Sequence, residues 1–189
     1  MRALFYPSSL AGEATFLGDW TANLIRVGRI QLVLAVSEPT RLGIVVDAAP
    51  YRMIPDRLGH RLFKILLMLG VPADDAAQEA EALRTAPIAA SNSRSVLGTL
   101  NQFAWQLECD LHYGLAASAA ELTRQLAETI VLKPEHILHP ADRVREAFGH
   151  EPIDRRHQGD WTLFFSRPGV GDDPLKDRHD PPPGPRKVF

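Results

Sequence analysis

Alternating apolar positions near the start of the chain predict an antiparallel sheet. In residues 30–36 every second side chain is Ile, Leu or Val, which is the pattern of a strand with one buried face. Gly28 and Arg29 separate this strand from the preceding one, and a glycine suits the first central position of a tight hairpin turn. Short links between neighbouring strands favour an antiparallel meander over parallel crossovers. The predicted strands are residues 2–6, 20–27, 30–36 and 42–47.

From about residue 55 onward, apolar positions recur at helical spacing and predict four or five helices. Pro55 lies near the start of the first helix, and Gly70 is placed to end it. Ser118 and Glu121 form a capping box, which marks the start of another helix. The predicted helices are residues 55–69, 72–83, 93–112, 118–132 and 140–148, and residues 85–90 are compatible with a further strand. We therefore predict an α+β fold, in which a small antiparallel β-sheet packs against four or five helices.

The composition changes after Gly149, and this change predicts the domain boundaries. Residues 168–189 contain six prolines and three glycines among 22 residues. Such a segment buries too little apolar surface to offset the entropy lost on ordering. We predict a single α+β domain over residues 1–149, a docking extension or short strand over 150–167 and a flexible, disordered tail over 168–189.

Charge and cysteine content exclude several classes of protein. The 189 residues carry 21 Lys and Arg against 23 Asp and Glu, so a general polyanion binder is not expected and nucleic acid is not a favoured partner. Cys109 is the only cysteine, which excludes an intrachain disulfide and fits a reducing compartment. No apolar run approaches the roughly 18 residues of a membrane span. We expect a cytoplasmic protein without a membrane partner.

The predicted helix 93–112 has two different faces. Its apolar stripe, which we expect to lie in the core, consists of Val96, Leu100, Phe103, Leu107 and Leu111. The opposite face carries Arg94, Gly98, Asn101, Trp105, Glu108 and His112. A glycine within a helix costs up to about 1 kcal/mol relative to alanine, so Gly98 suggests close approach by another backbone or by a ligand. The alternative is a second packed face, with Trp105 beneath a loop or the tail.

The start of this helix is the principal candidate binding site. Arg94 lies beside the helix N-terminus, where free N–H groups and the helix dipole favour an anion. Asn92 and Ser95 can either cap the helix or donate hydrogen bonds to that anion. In the structural alternative, Arg94 pairs with a carboxylate and the neighbouring polar residues only cap the helix.

Two segments resemble a bacterial family of domains of unknown function. Residues 92–102 are similar to the family pattern N-N-R-S-V-L-G-S-M-N-D, with matches that include Arg94, Ser95, Gly98 and Asn101. Residues 19–24 are similar to D-W-Y-A-N-L and match it at Trp20 and Asn23. The sequence departs from these patterns at Thr21, Thr99, Leu100 and Gln102, and the last departure removes an acidic residue. The resemblance covers about residues 20–148 and implies a fold and a site, but no reaction.

These residues favour a binding or regulatory module without enzymatic activity. We expect Arg94 to hold a small anionic ligand with help from Ser95, while Asn101 and Asn23 supply directional hydrogen bonds. An aromatic wall would come from Trp20 or Trp105. One alternative is an enzyme acting on a phosphate-containing or nucleic-acid substrate through the same residues. The other is a protein-interaction subunit, whose protein partner covers the Trp105 face and orders the C-terminal tail.

Motifs for other chemistry are absent from the sequence. It contains no glycine-rich phosphate loop, no nucleophile elbow and no zinc-protease motif. Two pairs have the spacing of metal ligands, Cys109 with His112 and His136 with His139, but no second cluster completes a site. We therefore expect no metal, no cofactor and no catalytic residue. The acidic run at residues 74–81 is expected to be a solvated helix face.

Overall fold

A five-stranded antiparallel sheet forms the centre of the described part of the chain. The computed structural model describes residues 2–5, 15–90, 95–134 and 136–154, so most of the predicted docking extension (150–167) and the whole predicted tail lie outside it. The strands are β1 (Arg2–Phe5), β2 (Trp20–Val27), β3 (Ile30–Ser37), β4 (Gly43–Asp47) and β5 (Ile88–Ala90). Their order is β4-β3-β2-β1-β5, and every neighbouring pair is antiparallel. The predicted meander is confirmed, and β5 extends it beyond β1.

The hairpin between β2 and β3 has the turn that the sequence predicts. Val27 pairs with Ile30, so only Gly28 and Arg29 form the loop. Gly28 has a φ of +58°, whereas Arg29 is not in the left-handed region. A positive φ at the first central residue alone is the pattern of a type II′ turn, which matches the twist of the flanking strands.

Five α-helices complete the described structure and confirm the α+β class. They are α1 (Ile54–Met68), α2 (Ala73–Thr85), α3 (Leu97–His112), α4 (Ala119–Glu128) and α5 (Pro140–Ala147). Helix α4 ends four residues earlier than predicted, because Thr129 is extended and the ring Nδ1 of His139 binds the Glu128 carbonyl at 2.9 Å. Helix α3 begins at Leu97, so Gly98 lies in its first turn and not in its interior.

The alternation of side chains in the strands creates two apolar layers. Trp20, Ala22 and Val33 pack with α1 and α2 on one face of the sheet. Leu32, Leu34 and Val36 pack with α3 and α4 on the other face. A strand places successive side chains on opposite faces, so these adjacent residues serve two separate helical layers. The described part of the molecule is therefore a sheet with helices on both sides.

Helix α4 also protects the outer edge of the sheet. No described strand pairs with β4 on that side, and an unpaired edge exposes backbone groups that can pair with another chain. The Thr123 hydroxyl accepts a hydrogen bond from the Val45 N–H at 2.9 Å and donates to the Ala119 carbonyl at 2.9 Å. A buried threonine therefore satisfies a donor that has no partner in the sheet.

The described residues after α5 return to the domain. The Ile153 N–H donates to Asp142 Oδ1 at 2.9 Å, and the Ile153 side chain packs against the apolar layer that contains α1. The predicted boundary after residue 149 stays a prediction. Within the described ranges, no helix combines the length and the apolar character that a membrane crossing requires.

Candidate functional site

The orientation of α3 is fixed by its apolar face. Phe103 and Leu107 are fully buried, and Leu100 is only 2 % exposed. Phe103 lies directly over Gly43 of β4, so close that a Cβ added at Gly43 would be 2.9 Å from the Phe103 ring. The absence of a side chain at Gly43 thus lets the helix approach the sheet. The predicted core stripe is confirmed, with Leu111 partly buried at its end.

The opposite face of α3 is open to solvent. Gly98, Asn101, Glu108 and His112 are all exposed, and Trp105 is 68 % exposed. No loop among the described residues covers Trp105, whereas the predicted tail lies outside those residues, so a cover formed by the tail stays a prediction. No described atom would come within 4 Å of a Cβ at Gly98. The packing of the described residues therefore does not require this glycine, and close approach by a ligand or partner stays a prediction.

A loop beside this face adds two exposed apolar side chains. The Gln102 amide donates to the Ile130 carbonyl at 2.6 Å and accepts from the Leu132 N–H at 3.0 Å. The side chains of Ile130 and Leu132 are 54 % and 69 % exposed. Gln102 lies three residues before Trp105, so the loop is held next to the turn that presents the indole. We call Gly98, Asn101, Trp105, Ile130 and Leu132 the α3 surface.

The start of α3 is held by the turn between β3 and β4. The Ser95 hydroxyl donates to the Glu38 carboxylate, and Arg41 Nη2 donates to the Ser95 carbonyl at 3.1 Å. Arg41 Nη1 also donates to the Glu38 carbonyl at 2.6 Å. A carboxylate of this chain therefore already lies at the predicted anion site. Asn92 and Arg94 fall outside the described residues, so their part in that site stays a prediction.

Arg41 is an unusual residue at this junction. It is only 6 % exposed and has a φ of +59°, in the left-handed region that is unfavourable for a side chain with a Cβ. Burial lowers the pKa of its guanidinium, and the nearby Glu38 opposes that effect. Because a buried charge needs hydrogen-bond partners, the two backbone carbonyls that Arg41 binds fix both its position and the start of α3.

The two predicted site residues of β2, Trp20 and Asn23, lie on opposite faces of the sheet. Trp20 is 1 % exposed and packs in the layer formed with α1 and α2, on the far side of the sheet from α3. The structure thus does not bring Trp20 to the α3 surface, and of the two predicted tryptophans it is Trp105 that is exposed there. Asn23 is half-buried in the middle of β2 and pairs with Leu34 of β3. Its side chain therefore lies on the face of the sheet that packs against α3, opposite to the side chains of Ala22 and Leu24. A role for Asn23 at the α3 surface stays a prediction.

One known protein family matches the part of the chain that contains most of these elements. The family model described as "Domain of unknown function (DUF6933)" matches residues 5–143. The chain belongs to the DUF6933 family. The match begins in β1 and ends within α5, so it includes the sheet and the α3 surface. No curated protein and no solved structure matches the chain.

The DUF6933 domain shows no metal-binding cluster in its described residues. No three His, Cys, Asp or Glu side chains come together there. His139 instead binds the end of α4, and Cys109 is a free, half-buried thiol on α3. The Ser95 hydroxyl donates to a carboxylate, which differs from a helix cap, where the hydroxyl accepts from a backbone N–H, and the N-cap position of α3 is Val96.

Sequence reasoning missed Glu38 and Arg41, although both lie in the short link between the predicted strands 30–36 and 42–47. The available indication was a single arginine between a proline-containing turn and a strongly apolar strand. A positive φ at a non-glycine residue cannot be recognised from composition, because it is imposed by the surrounding contacts. The tie between this turn and Ser95 spans 57 residues and depends on the tertiary fold.

Proposed function

We propose that this DUF6933 domain is a non-enzymatic binding module that holds a protein partner on the α3 surface. The observation that carries this proposal is the 68 % exposure of Trp105 on a helix whose other face is locked in the core. A solvated helix face normally avoids tryptophan, whereas tryptophan is enriched among the residues that dominate binding energy at protein interfaces. Ile130 and Leu132 enlarge the apolar area around it.

Charge at this face indicates which partner it suits. Glu108 follows Trp105 by three residues, so both side chains lie on the same helical face. Glu108 belongs to none of the ion pairs found among the described residues. A partner arginine can stack on the indole while it pairs with this carboxylate. The expected partner is therefore a protein that presents an arginine or lysine among apolar side chains.

The α3 surface is already ordered for binding. Gln102 fixes the loop that carries Ile130 and Leu132, and Thr99 Oγ1 donates to the Lys133 carbonyl of the same loop at 3.1 Å. Ordering a loop during association costs binding free energy, so a loop that is held in advance avoids part of that cost. This arrangement supports a recognition role for the loop and the helix together.

The proposal is tested by crosslinking followed by affinity measurement. A photo-reactive amino acid replaces Trp105 in the full chain inside cells, and Met68 of α1, which is 51 % exposed, is the control position. The protein that crosslinks only at position 105 is then purified. Its affinity for the unmodified chain is compared with that for Trp105→Ala and Met68→Ala. We expect Trp105→Ala to weaken binding about 30-fold, corresponding to the loss of a 2 kcal/mol interface anchor.

Equal affinities for the two variants would refute the role of the α3 surface, even if a protein had been captured. Glu108→Gln refines the test, because it removes the charge and preserves the shape. If the partner supplies an arginine here, this variant weakens binding and reduces its salt dependence. Unchanged binding by Glu108→Gln would disprove the arginine contact.

We also propose that the domain works in the bacterial cytoplasm. The lone, half-buried thiol of Cys109 supports a reducing compartment, and the resemblance noted for residues 92–102 supports a bacterial source. Cell fractionation with an antibody to the full chain tests the compartment. Recovery in a secreted fraction would contradict it.

A further inference from the structure

An apolar groove of about 510 Å³ lies on the side of the sheet that faces α1. Its lining consists of Phe5, Ala22, Asn23, Leu24, Val33, Tyr51, Arg52, Ile54, Pro55 and Ile88. Strands β1, β2 and β3 provide the floor, the start of α1 provides one wall, and Ile88 of β5 provides the other. Small-molecule sites typically have volumes of about 300 to 1,000 Å³ and apolar linings with a few polar groups. The groove fits both criteria.

The groove results from the way in which α1 crosses the sheet. Helix α1 packs mainly on β4 and on α2, so the part of the sheet beyond β3 is not fully covered near the start of the helix. The floor there carries the small side chain of Ala22 and the short one of Val33. Ile88 remains 56 % exposed at the opposite wall, although it is a large apolar residue. Exposed apolar surface that lines a concavity indicates a binding site.

One charged side chain belongs to this lining. Arg52 is exposed, and it forms none of the ion pairs of the described residues. The neighbouring Tyr51 hydroxyl is engaged, because it donates to Gln31 Oε1 at 2.9 Å. A ligand that enters the groove therefore meets apolar side chains along its body and a guanidinium at the solvent side. Guanidinium groups bind carboxylates through paired, charge-assisted hydrogen bonds.

We propose that this groove binds a small amphipathic carboxylate, with its aliphatic chain on the sheet and its carboxylate paired to Arg52. The site is separate from the α3 surface, because the two lie on opposite faces of the sheet. It therefore adds a ligand class to the binding module and does not depend on the protein partner proposed above.

Calorimetric titration of the full chain with dodecanoate, below its micelle concentration, tests the proposal. Dodecanol is the matched probe, since it has the same chain and no charge. We expect saturable binding of one dodecanoate, weakened about fivefold by Arg52→Gln, which is the size expected for a partly exposed ion pair. Arg29→Gln, an equal change of charge at an exposed turn residue outside the lining, leaves the affinity unchanged. Dodecanol binding is insensitive to both variants.

A second variant tests whether the aliphatic chain of the probe lies on the floor of the groove. Ala22→Leu fills the floor of the groove and is expected to weaken both probes by about tenfold or more. If thermal unfolding shows that this variant is not folded, Ile88→Asp replaces it, because Ile88 is exposed and a carboxylate there repels dodecanoate more than dodecanol. Non-saturable binding overturns the proposal. Equal losses of dodecanoate affinity for Arg52→Gln and Arg29→Gln also overturn it, as does unchanged dodecanoate affinity in a folded Ala22→Leu or Ile88→Asp variant.

Discussion

The same substitution, glycine to alanine, is expected to have opposite effects at two positions on either side of α3. At Gly43 a new Cβ would lie 2.9 Å from the Phe103 ring and 3.1 Å from Leu126. Neither neighbour can move freely, because both are fully buried. Overpacking costs about 1 to 3 kcal/mol, and two immobile neighbours place this site in the upper part of that range, at about 2 to 3 kcal/mol. The reduced backbone freedom of alanine returns about 0.5 to 1 kcal/mol. We expect Gly43→Ala to lower the free energy of unfolding by about 1 to 2 kcal/mol.

At Gly98 the new methyl group meets open space, and the residue lies in the first turn of α3. Only the conformational gain remains, so Gly98→Ala should raise the free energy of unfolding by about 0.5 kcal/mol. Thermal and urea unfolding followed by circular dichroism measure both variants. For a domain of this size the melting temperature should fall by about 2 to 8 °C at Gly43 and rise by about 1 to 2 °C at Gly98. A neutral or stabilising Gly43→Ala would refute the close packing of Phe103 on β4.

Two further predictions concern buried polar groups. Glu79 is 5 % exposed; burial raises the pKa of its carboxyl, although Phe16 N–H donates to it at 2.6 Å. The pKa of Glu79 in the folded protein therefore lies above its unfolded value near 4.5. As pH rises from 4.5 through the folded pKa, the free energy of unfolding of the parent should fall relative to that of Glu79→Gln, as measured by urea unfolding. The same pH dependence in both proteins would contradict this. Thr123→Val should lower the free energy of unfolding by about 1 to 3 kcal/mol in the same assay, because it leaves the buried Val45 N–H without its hydrogen-bond acceptor. An unchanged urea concentration at half-unfolding would show that the Val45 N–H has another acceptor.

Much of the fold could be predicted because local patterns and tertiary packing agree. Strands β2 and β3 follow their alternation and their turn glycine, and α4 begins at the serine of its capping box. The acidic run in α2 shows the limit of this reasoning. The sequence predicts a solvated helix face, but Glu79 faces inward and accepts hydrogen bonds from the backbone N–H groups of residues 16 and 17. These N–H groups lie about 60 residues before α2 in the sequence, so the helical periodicity of α2 cannot show that they need an acceptor there.

The candidate site was less predictable, because it depends on which elements meet. The helix face with Gly98, Asn101 and Trp105 follows from the periodicity of α3, and the structure leaves it exposed. The groove cannot be recognised from any single segment, since its floor, walls and charged residue come from strands, a turn and a helix that are far apart in sequence. Trp20 is the opposite case, a residue that a single segment singled out for a site and that the fold places in the core. Its place in a family-like motif suggested a binding wall, but the alternation along β2 directs it into the core.

Core packing explains why several residues of each family-like segment have the identity they have, which leaves fewer residues that need a functional explanation. In the longer segment, Val96 and Leu100 belong to the core, and Ser95 ties the helix to Glu38 of the preceding turn. In the shorter segment, Trp20 is a core residue, and its neighbours in β2 form the floor of the groove. Residues with such contacts have a structural reason for their identity. Gly98 and Asn101 have no comparable burial, so a functional explanation for the α3 surface has to begin with these two residues and with Trp105 beside them.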